Sequence, residues 1–301
     1  MTTSNLPPLL NHFLAGWSCS TASASSPKNS LVRMVTAANS SLPNNSIENS
    51  TSACASSDEL YQTDNGSSFA MIGQPQWTEE HLANKAREEG HGAALAMAHA
   101  EYGSRFLQVL RGPFAFAVID TSTDTVMLGT DRMGRYPLYY TEIDHGLVFG
   151  SSASIVLANT TPTDEAAQAA LQAQGLYDYV YFHMVPSPHS IFGGLKKLPA
   201  GHLLLCSVDQ CVVSNYFRPV FREQSQDSFI SLGAELKTQL KGAVERCIKP
   251  DVKVGAFLSG GLDSSSVAGM LSELKPNNAH AFSIGFSAKG YDEMAYARLT
   301  A

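Results

Sequence analysis

The chain has 301 residues, enough for two domains with a substantial core, and a formal net charge of −7. No basic block accompanies that charge, which excludes a nucleic acid or an anionic membrane surface as the main partner. No apolar run reaches the length of a membrane span, and residues 1–17 lack the basic and long apolar regions of a secretory signal, so a cytoplasmic protein is expected.

In chain order, residues 18–68 are rich in Ser, Thr, Asn and Ala, with one apolar run at Leu31–Val35, and read as loop or poorly structured. Order resumes with FAMIGQPQW, Phe69–Trp77. Alanine content and the spacing of Leu95, Met97 and Tyr102 predict a helix within Gly92–Tyr102. Four strand-like runs follow, PFAFAVID, TVMLGT, PLYYT and GLVFGS, separated by turn residues at 120–124 and 144–146; they predict an antiparallel meander. Tyr139 and Tyr140 are expected in its core, and Asp131 with Arg132 and Arg135 predicts a buried ion pair bracing the hairpin. Segments rich in Pro, Gly and aromatics, 176–205 and 215–223, lead to a boundary near Phe221. Beyond it, Leu232, Leu236, Leu240, Val244 and Ile248 recur every fourth residue, which predicts a helix with one face buried against a following sheet. The cysteines, Cys19, Cys54, Cys206, Cys211 and Cys247, are odd in number with no C-x-x-C pair, so reduced thiols are expected rather than a disulfide framework or a zinc site. No internal repeat occurs.

The strongest motif is SGGLDSS, Ser259–Ser265, between a strand-like run at Val252–Leu258 and a helical spacing at Val267, Met270 and Leu271. A strand-to-helix turn presents unpaired backbone N–H groups at the positive end of a helix dipole, which can hold an anion. Gly260 and Gly261 allow close backbone approach, and Ser259, Ser264 and Ser265 add hydroxyl donors, so the turn suits phosphate. Asp263 would repel a polyphosphate unless a divalent cation lies between them, which implies Mg²⁺. A Walker loop is excluded because no lysine occurs between Lys253 and Lys275, and no Rossmann G-x-G-x-x-G is present.

SGGLDSS resembles the pyrophosphate-binding loop of the ATP-pyrophosphatase group in the form used by asparagine synthetases, which split ATP into AMP and pyrophosphate. Further landmarks are similar to that family and occur in its order: LRGPFAFAVID at Leu110–Asp120, DRMGRYPLYY at Asp131–Tyr140, VPSPHSIFGGLKKLPAGHLLL at 185–205, NYFRP at Asn215–Pro219, and FSIGFSAKGYDEMAYAR at Phe282–Arg298. The resemblance covers 69–301. It implies an N-terminal antiparallel sandwich of the Ntn (N-terminal nucleophile) amidotransferase type, followed by a truncated parallel α/β ATP-pyrophosphatase (PP-loop) domain. The divisions expected are 1–68, a poorly structured or degenerate segment of the first domain; 69–220, amidotransferase-like; and 221–301, the beginning of the synthetase domain. Leu258 to Ser265 with Ser283, Ile284 and Gly285 would bind ATP and pyrophosphate, and Asp263 the metal. The end of the Ser283–Phe286 strand would either face adenine or be plain sheet core. Tyr291, Asp292 and Glu293 match a family landmark without a role read from them.

Departures are concentrated at the front. Glutamine-hydrolysing members carry Cys after the initiator Met, with its free amine activating the thiol. Here that position is Thr2, and the nearest counterpart of the family's Cys-Gly-Ile-x-Gly is HFLAG, with His12 where the cysteine stands. No glutaminase nucleophile is identified, and His12 reads as a half-buried or surface histidine rather than a base. The glutamine-holding blocks are absent, MIGQPQW standing where one would be, and Phe-Ala-Ser-Glu is altered to FGSS, Phe149–Ser152. The chain stops at Ala301 shortly after the second strand, so the lysines and acids of the acceptor site lie beyond it and a truncated product or fragment is expected.

The expected activity is ATP-dependent amide formation through an acyl-adenylate, aspartate and a nitrogen donor giving asparagine, AMP and pyrophosphate, with the glutaminase half inactive. ATP and Mg²⁺ are the cofactors. A carboxylate such as aspartate and an ammonia or amine donor are the small-molecule partners, with a homodimer possible and no nucleic acid or membrane. A β-lactam-synthetase-like or lasso-cyclase-like ligase using an internal amine is the alternative. A glutaminase hydrolase and a non-catalytic degenerate homologue are readings of other classes.

Overall fold

The computed structural model describes residues 14–19, 46–48, 52–143, 146–158, 170–207, 209–221, 227–248, 252–287 and 292–301. Thr2, His12 and Tyr291 lie outside these residues. The chain divides into two units, Met1–Pro219 and Val220–Ala301.

Unit 1 is built on two antiparallel sheets. The first comprises β1 (Leu14–Cys19), β2 (Ser46–Glu48), β3 (Ser52–Ser56), β10 (Tyr139–Ile143), β11 (Gly146–Gly150) and β12 (Lys196–Lys197), in the order β12-β10-β11-β1-β3-β2. The second comprises β4 (Glu59–Gln62), β5 (Ser68–Gly73), β8 (Phe114–Asp120), β9 (Thr125–Thr130), β13 (His202–Cys206) and β14 (Cys211–Asn215), in the order β14-β13-β9-β8-β5-β4. A two-stranded ribbon, β6 (Gln76–Trp77) with β7 (Leu110–Arg111), lies outside both.

Alternation along β8 shows how one strand serves two cores. Its small residues Ala115 and Ala117 join Leu14, Phe149, Ala70 and Leu128 in the cluster between the sheets. Its large ones, Phe114, Phe116 and Val118, pack on the opposite face with Leu82 of α1 (Glu80–Glu89), Leu95 of α2 (His91–Tyr102) and Phe106 of a 3₁₀ turn (Gly103–Gln108). Ala53, Ala55 and Val148 pack beyond the first sheet against Ile155 and Val156 of α3 (Ala153–Leu157), which α4 (Ala173–Phe182) follows along the chain. The result is a helix–sheet–sheet–helix sandwich. The expected meander is therefore split, β8 and β9 in one sheet and β10 and β11 in the other. Tyr140 is buried in the inter-sheet core as expected, while Tyr139 is half-buried.

The structure corrects several expectations. Part of the stretch 1–68 read as poorly structured is ordered: β1 and β3 are inner strands of the first sheet, and β4 edges the second. Small residues in β1 and β3 concealed those two strands, yet smallness is what the packing requires, since a Cβ at Gly16 would lie 2.2 Å from the Phe149 ring. Asp131 is buried but makes no ion pair with Arg132 or Arg135. Its carboxylate accepts backbone N–H bonds from Met133 (2.8 Å), Arg135 (3.0 Å) and Phe114 (3.3 Å), while the Arg132 guanidinium stacks on Phe217 at 4.5 Å. Cys206 and Cys211 form a disulfide, against the expectation of reduced thiols, because the β13–β14 hairpin sets them opposite each other.

Unit 2 contains α5 (Phe229–Cys247), β15 (Gly255–Phe257), α6 (Leu262–Leu274), β16 (His280–Phe282) and α7 (Met294–Thr300), with β15 and β16 parallel. A parallel pair requires a crossover, and α6 supplies it. α5 forms where the fourfold spacing predicts it, but its apolar face is not buried. Among its residues none is fully covered, and it meets α6 rather than a sheet, with Lys241 and Lys237 of α5 bonded to Glu273 of α6 at 2.9 and 3.4 Å. Among the described residues no helix is long and apolar enough to cross a membrane.

Candidate nucleotide site

The SGGLDSS turn runs from the end of β15 into α6, as its sequence requires. Gly260 has φ +86, and a Cβ there would lie 2.4 Å from the Tyr296 Cβ and 2.6 Å from the Ala297 nitrogen of α7. Both backbone conformation and space demand glycine at this position. Gly261 is the N-cap and brings no side chain, so the first turn of α6 is left uncapped by its own cap residue.

Hydroxyls bond within the preceding turn and leave that helix start open. The Ser264 Oγ accepts from the Ser259 N–H at 3.2 Å and donates to the Gly261 carbonyl at 3.2 Å, and the Ser259 Oγ accepts from the Gly261 N–H at 3.3 Å. The Ser259 and Ser264 hydroxyls are 3.1 Å apart. Ser265 is drawn away from them, its Oγ lying 3.2 Å from the Thr300 Oγ1 of α7. Leu258 is buried and donates its N–H to the Phe282 carbonyl at 2.8 Å. Leu262 and Asp263 are exposed in the first turn of α6, Asp263 without hydrogen bond or ion pair to any described residue.

The second strand returns to this turn. The Ser283 Oγ donates to the Leu258 carbonyl at 2.6 Å, tying the strand ends together. Beside them a cleft of about 300 Å³ is lined by Phe257, Leu258, Ser259, Phe282, Ser283, Ile284, Phe286, Glu293, Met294 and Ala297. Apolar and aromatic side chains dominate it, with two hydroxyls and one carboxylate, the make-up of a small-molecule cleft. Ser283 and Ile284 line this cleft, and Gly285 stands just outside, facing Met294 and Asp292. Phe257, Met294 and Ala297 were not singled out from the sequence, since they come from two separate elements, β15 and α7. Asp292 accepts from the Phe286 and Met294 N–H groups, shaping the cleft rim. The donor set fits a triphosphate with Mg²⁺: backbone N–H groups and hydroxyls at an uncapped helix start, one unpartnered carboxylate, and an apolar cleft adjoining them. Among the described residues no group of three or more His, Cys, Asp and Glu could hold a metal by itself, and Mg²⁺ bound through phosphates needs none.

In unit 1, FGSS is architectural. Ser151 accepts the Leu14 N–H at 3.1 Å, anchoring β1, and Ser152 caps α3 through the Ile155 N–H.

Residues 78–217 match the family model described as a glutamine amidotransferase domain, and residues 235–301 match the one described as asparagine synthase. The chain belongs to the asparagine synthetase family. The chain is 30% identical over 219 residues to asparagine synthetase [glutamine-hydrolyzing] 3 of Bacillus subtilis (strain 168), covering 69% of this chain and 35% of that one. It is 27% identical over 210 residues to asparagine synthetase [glutamine-hydrolyzing] 1 of the same organism, covering 69% and 32%. It is 29% identical over 224 residues to amidase chry2 of Gibberella zeae, covering 67% and 32%. The chain therefore spans about a third of the length of the curated relatives it matches. Among solved structures, the glutamine phosphoribosylpyrophosphate amidotransferase of B. subtilis aligns over 94% of this chain and 62% of that one, with TM-score 0.36 and 11% identity. In this asparagine synthetase family chain both domain matches fall within the unit boundaries found structurally.

Proposed function

We propose that the chain takes part in ATP-dependent amide formation, the SGGLDSS turn holding the pyrophosphate portion of ATP while a carboxylate substrate attacks the α-phosphorus. The observation that carries this reading is the Gly260 turn: a left-handed glycine pressed against α7, followed by a helix start whose cap residue offers no side chain. Backbone N–H groups and the Ser259 and Ser264 hydroxyls stabilise charge on the departing pyrophosphate. Asp263 would hold Mg²⁺, which neutralises phosphate charge when bound. The aromatic cleft beside Ser283 accommodates the base, and this unit is the beginning of an ATP-pyrophosphatase domain. The acyl-adenylate formed is then attacked by ammonia or an amine, with aspartate as the acyl donor of first choice. Unit 1 is the Ntn-type amidotransferase sandwich, with its glutaminase inactive because His12 stands where the family's cysteine leads into the first strand. A ligase using an amine within its own substrate, or a non-catalytic homologue, would share the same turn. We place the protein in the cytoplasm, with small-molecule partners and a homodimer as its assembly.

The test is binding of Mg²⁺-ATP followed by aspartate-dependent exchange of labelled pyrophosphate into ATP, with Asp263→Ala as control. Binding that disappears in the variant supports the turn as a nucleotide site, and exchange with aspartate fixes the substrate. Equal ATP affinity in both proteins would sink the assignment of Asp263, and no binding in either would favour the non-catalytic homologue.

A further inference from the structure

The Cys206–Cys211 disulfide lies outside the nucleotide site and is used by nothing described above. It closes the β13–β14 hairpin across a cross-strand pair, with the Cα atoms 4.0 Å apart and a sequence separation of 5. β14 is the outermost strand of its sheet and its residues Val212 to Asn215 are exposed, so only β13 holds it along its length. Its far end is anchored independently: the Tyr216 and Phe217 N–H groups both donate to the Gly201 carbonyl, and the Tyr216 hydroxyl donates to the Thr130 carbonyl at 2.7 Å.

Two features distinguish this bond from a permanent staple. A cross-link stabilises chiefly by constraining the unfolded chain, and its effect grows with the loop it closes. This loop is very short and its strands are already paired by backbone hydrogen bonds, so little of the fold depends on the bond. The cysteine sulfurs also have a place in either state: Cys206 belongs to the inter-sheet core, with Cys211 packed against it, and a thiol behaves there as a small apolar group. Cys211 is half-exposed while Cys206 is buried, so an incoming thiolate reaches one sulfur and not the other.

We propose that Cys206 and Cys211 form a reversible thiol–disulfide site that clips and releases the edge strand β14 while the sandwich stands in both states. A dithiol reductant attacks the Cys211 Sγ as thiolate; the S–S bond breaks and Cys206 leaves as thiolate and takes up a proton. The second thiol of the reductant then attacks the mixed disulfide, releasing Cys211 and leaving the reductant as its own disulfide. Reoxidation runs the same steps in reverse with an oxidised dithiol, two electrons passing from the cysteine pair to it.

The test uses the whole chain, folded, in buffers of graded ratios of reduced to oxidised dithiothreitol, followed by alkylation and peptide-resolved mass spectrometry. Labelling of Cys211 should rise with the reduced fraction and fall again on return to oxidised buffer, while Cys206 stays covered in the core. Cys247, exposed, should be labelled throughout, and Cys54, buried, should stay protected. Cys211→Ser should speed proteolytic cleavage within 207–215 several-fold without exposing Cys54. Labelling of Cys211 in fully oxidised buffer would show that the bond does not form, absence of its labelling in fully reduced native buffer would show a permanent cross-link, and labelling of Cys54 in step with Cys211 would show that the bond holds the whole fold; each overturns the proposal.

Discussion

The two units spend their apolar residues differently. In 1–219, β8 is covered on both faces, and Phe106, Phe114, Phe116 and Phe149 are almost wholly removed from solvent. Among the described residues of 220–301 the buried apolar ones are Ala256, Leu258, Leu271 and Ala297, while Phe257 and Leu262 remain more than 80% exposed. The first unit derives its order from side-chain packing, which is unforgiving of volume change. The second derives the shape of its site from backbone: a left-handed glycine, a bare helix start and a hydroxyl bond between strand ends. Substitutions should therefore act on stability in one unit and on ligand affinity in the other.

The sharpest way to break this contrast is Phe116→Ala. Its ring meets Phe106 edge-on at 5.3 Å, and its loss should cost about 3–5 kcal/mol in denaturant unfolding of unit 1. A cost near that of a surface change would mean the helix-side core is loosely packed. Asp131→Asn comes next. Both carboxylate oxygens accept backbone N–H groups, and the amide NH₂ would face one of those donors, so unfolding measurements should register a loss of about 2 kcal/mol.

Gly260→Val probes the backbone-built site. The strain of φ +86 should add about 1–3 kcal/mol locally, and Mg²⁺-ATP affinity by calorimetry should fall at least about tenfold, while the unfolding of unit 1 is unchanged. Undiminished affinity would separate the turn from nucleotide binding.

A smaller effect is expected from pH. His99 lies edge-on to Phe69 at 5.7 Å and to Phe106 at 6.5 Å, and burial pushes its proton affinity below the ordinary 6.5. The unfolded chain then takes up the proton first as pH falls. The stability contribution is complete above 6.5 and is lost as pH drops through that value toward the lower folded one. His91, also lowered by burial, acts in the same direction. Thermal unfolding midpoints from pH 8 to 5 should decline on acidification, and His99→Gln should flatten the decline. The smallest change is Leu236→Ala on α5, 61% exposed, which should stay within about 0.5 kcal/mol of the parent in the same unfolding assay.

What could be read in advance follows the same division. The strand-to-helix turn at SGGLDSS was legible because local chemistry alone marks it: two glycines, three hydroxyls and an acid between a strand and a helix. The cleft beside it was only half legible, since Phe257, Phe286 and Met294 meet through tertiary approach of β15, the segment after β16 and α7. Fourfold spacing gave the extent of α5 and the side that is apolar, but no spacing states which neighbour covers it. Asp131 invited pairing with the arginines next to it, whereas backbone donors reached it first in the tight turn. Strands β1 and β3 escaped notice because Ala, Ser, Gly and Cys carry little strand propensity, and the reason for being small at Gly16, the Phe149 ring over it, lies far along the sequence.

The position of β1 has a consequence for synthesis. It lies between β3 and β11, pairing Ala15 with Ala55 on one side and with Gly150 on the other. During translation one neighbour follows within some tens of residues, but the other emerges only after β8, β9 and β10. Until then β1 offers an open row of backbone donors and acceptors, the arrangement on which chains associate wrongly. The closing of the first sheet is thus a late event set by the order in which the ribosome delivers the strands, and it makes folding slow relative to a sandwich paired only between neighbours.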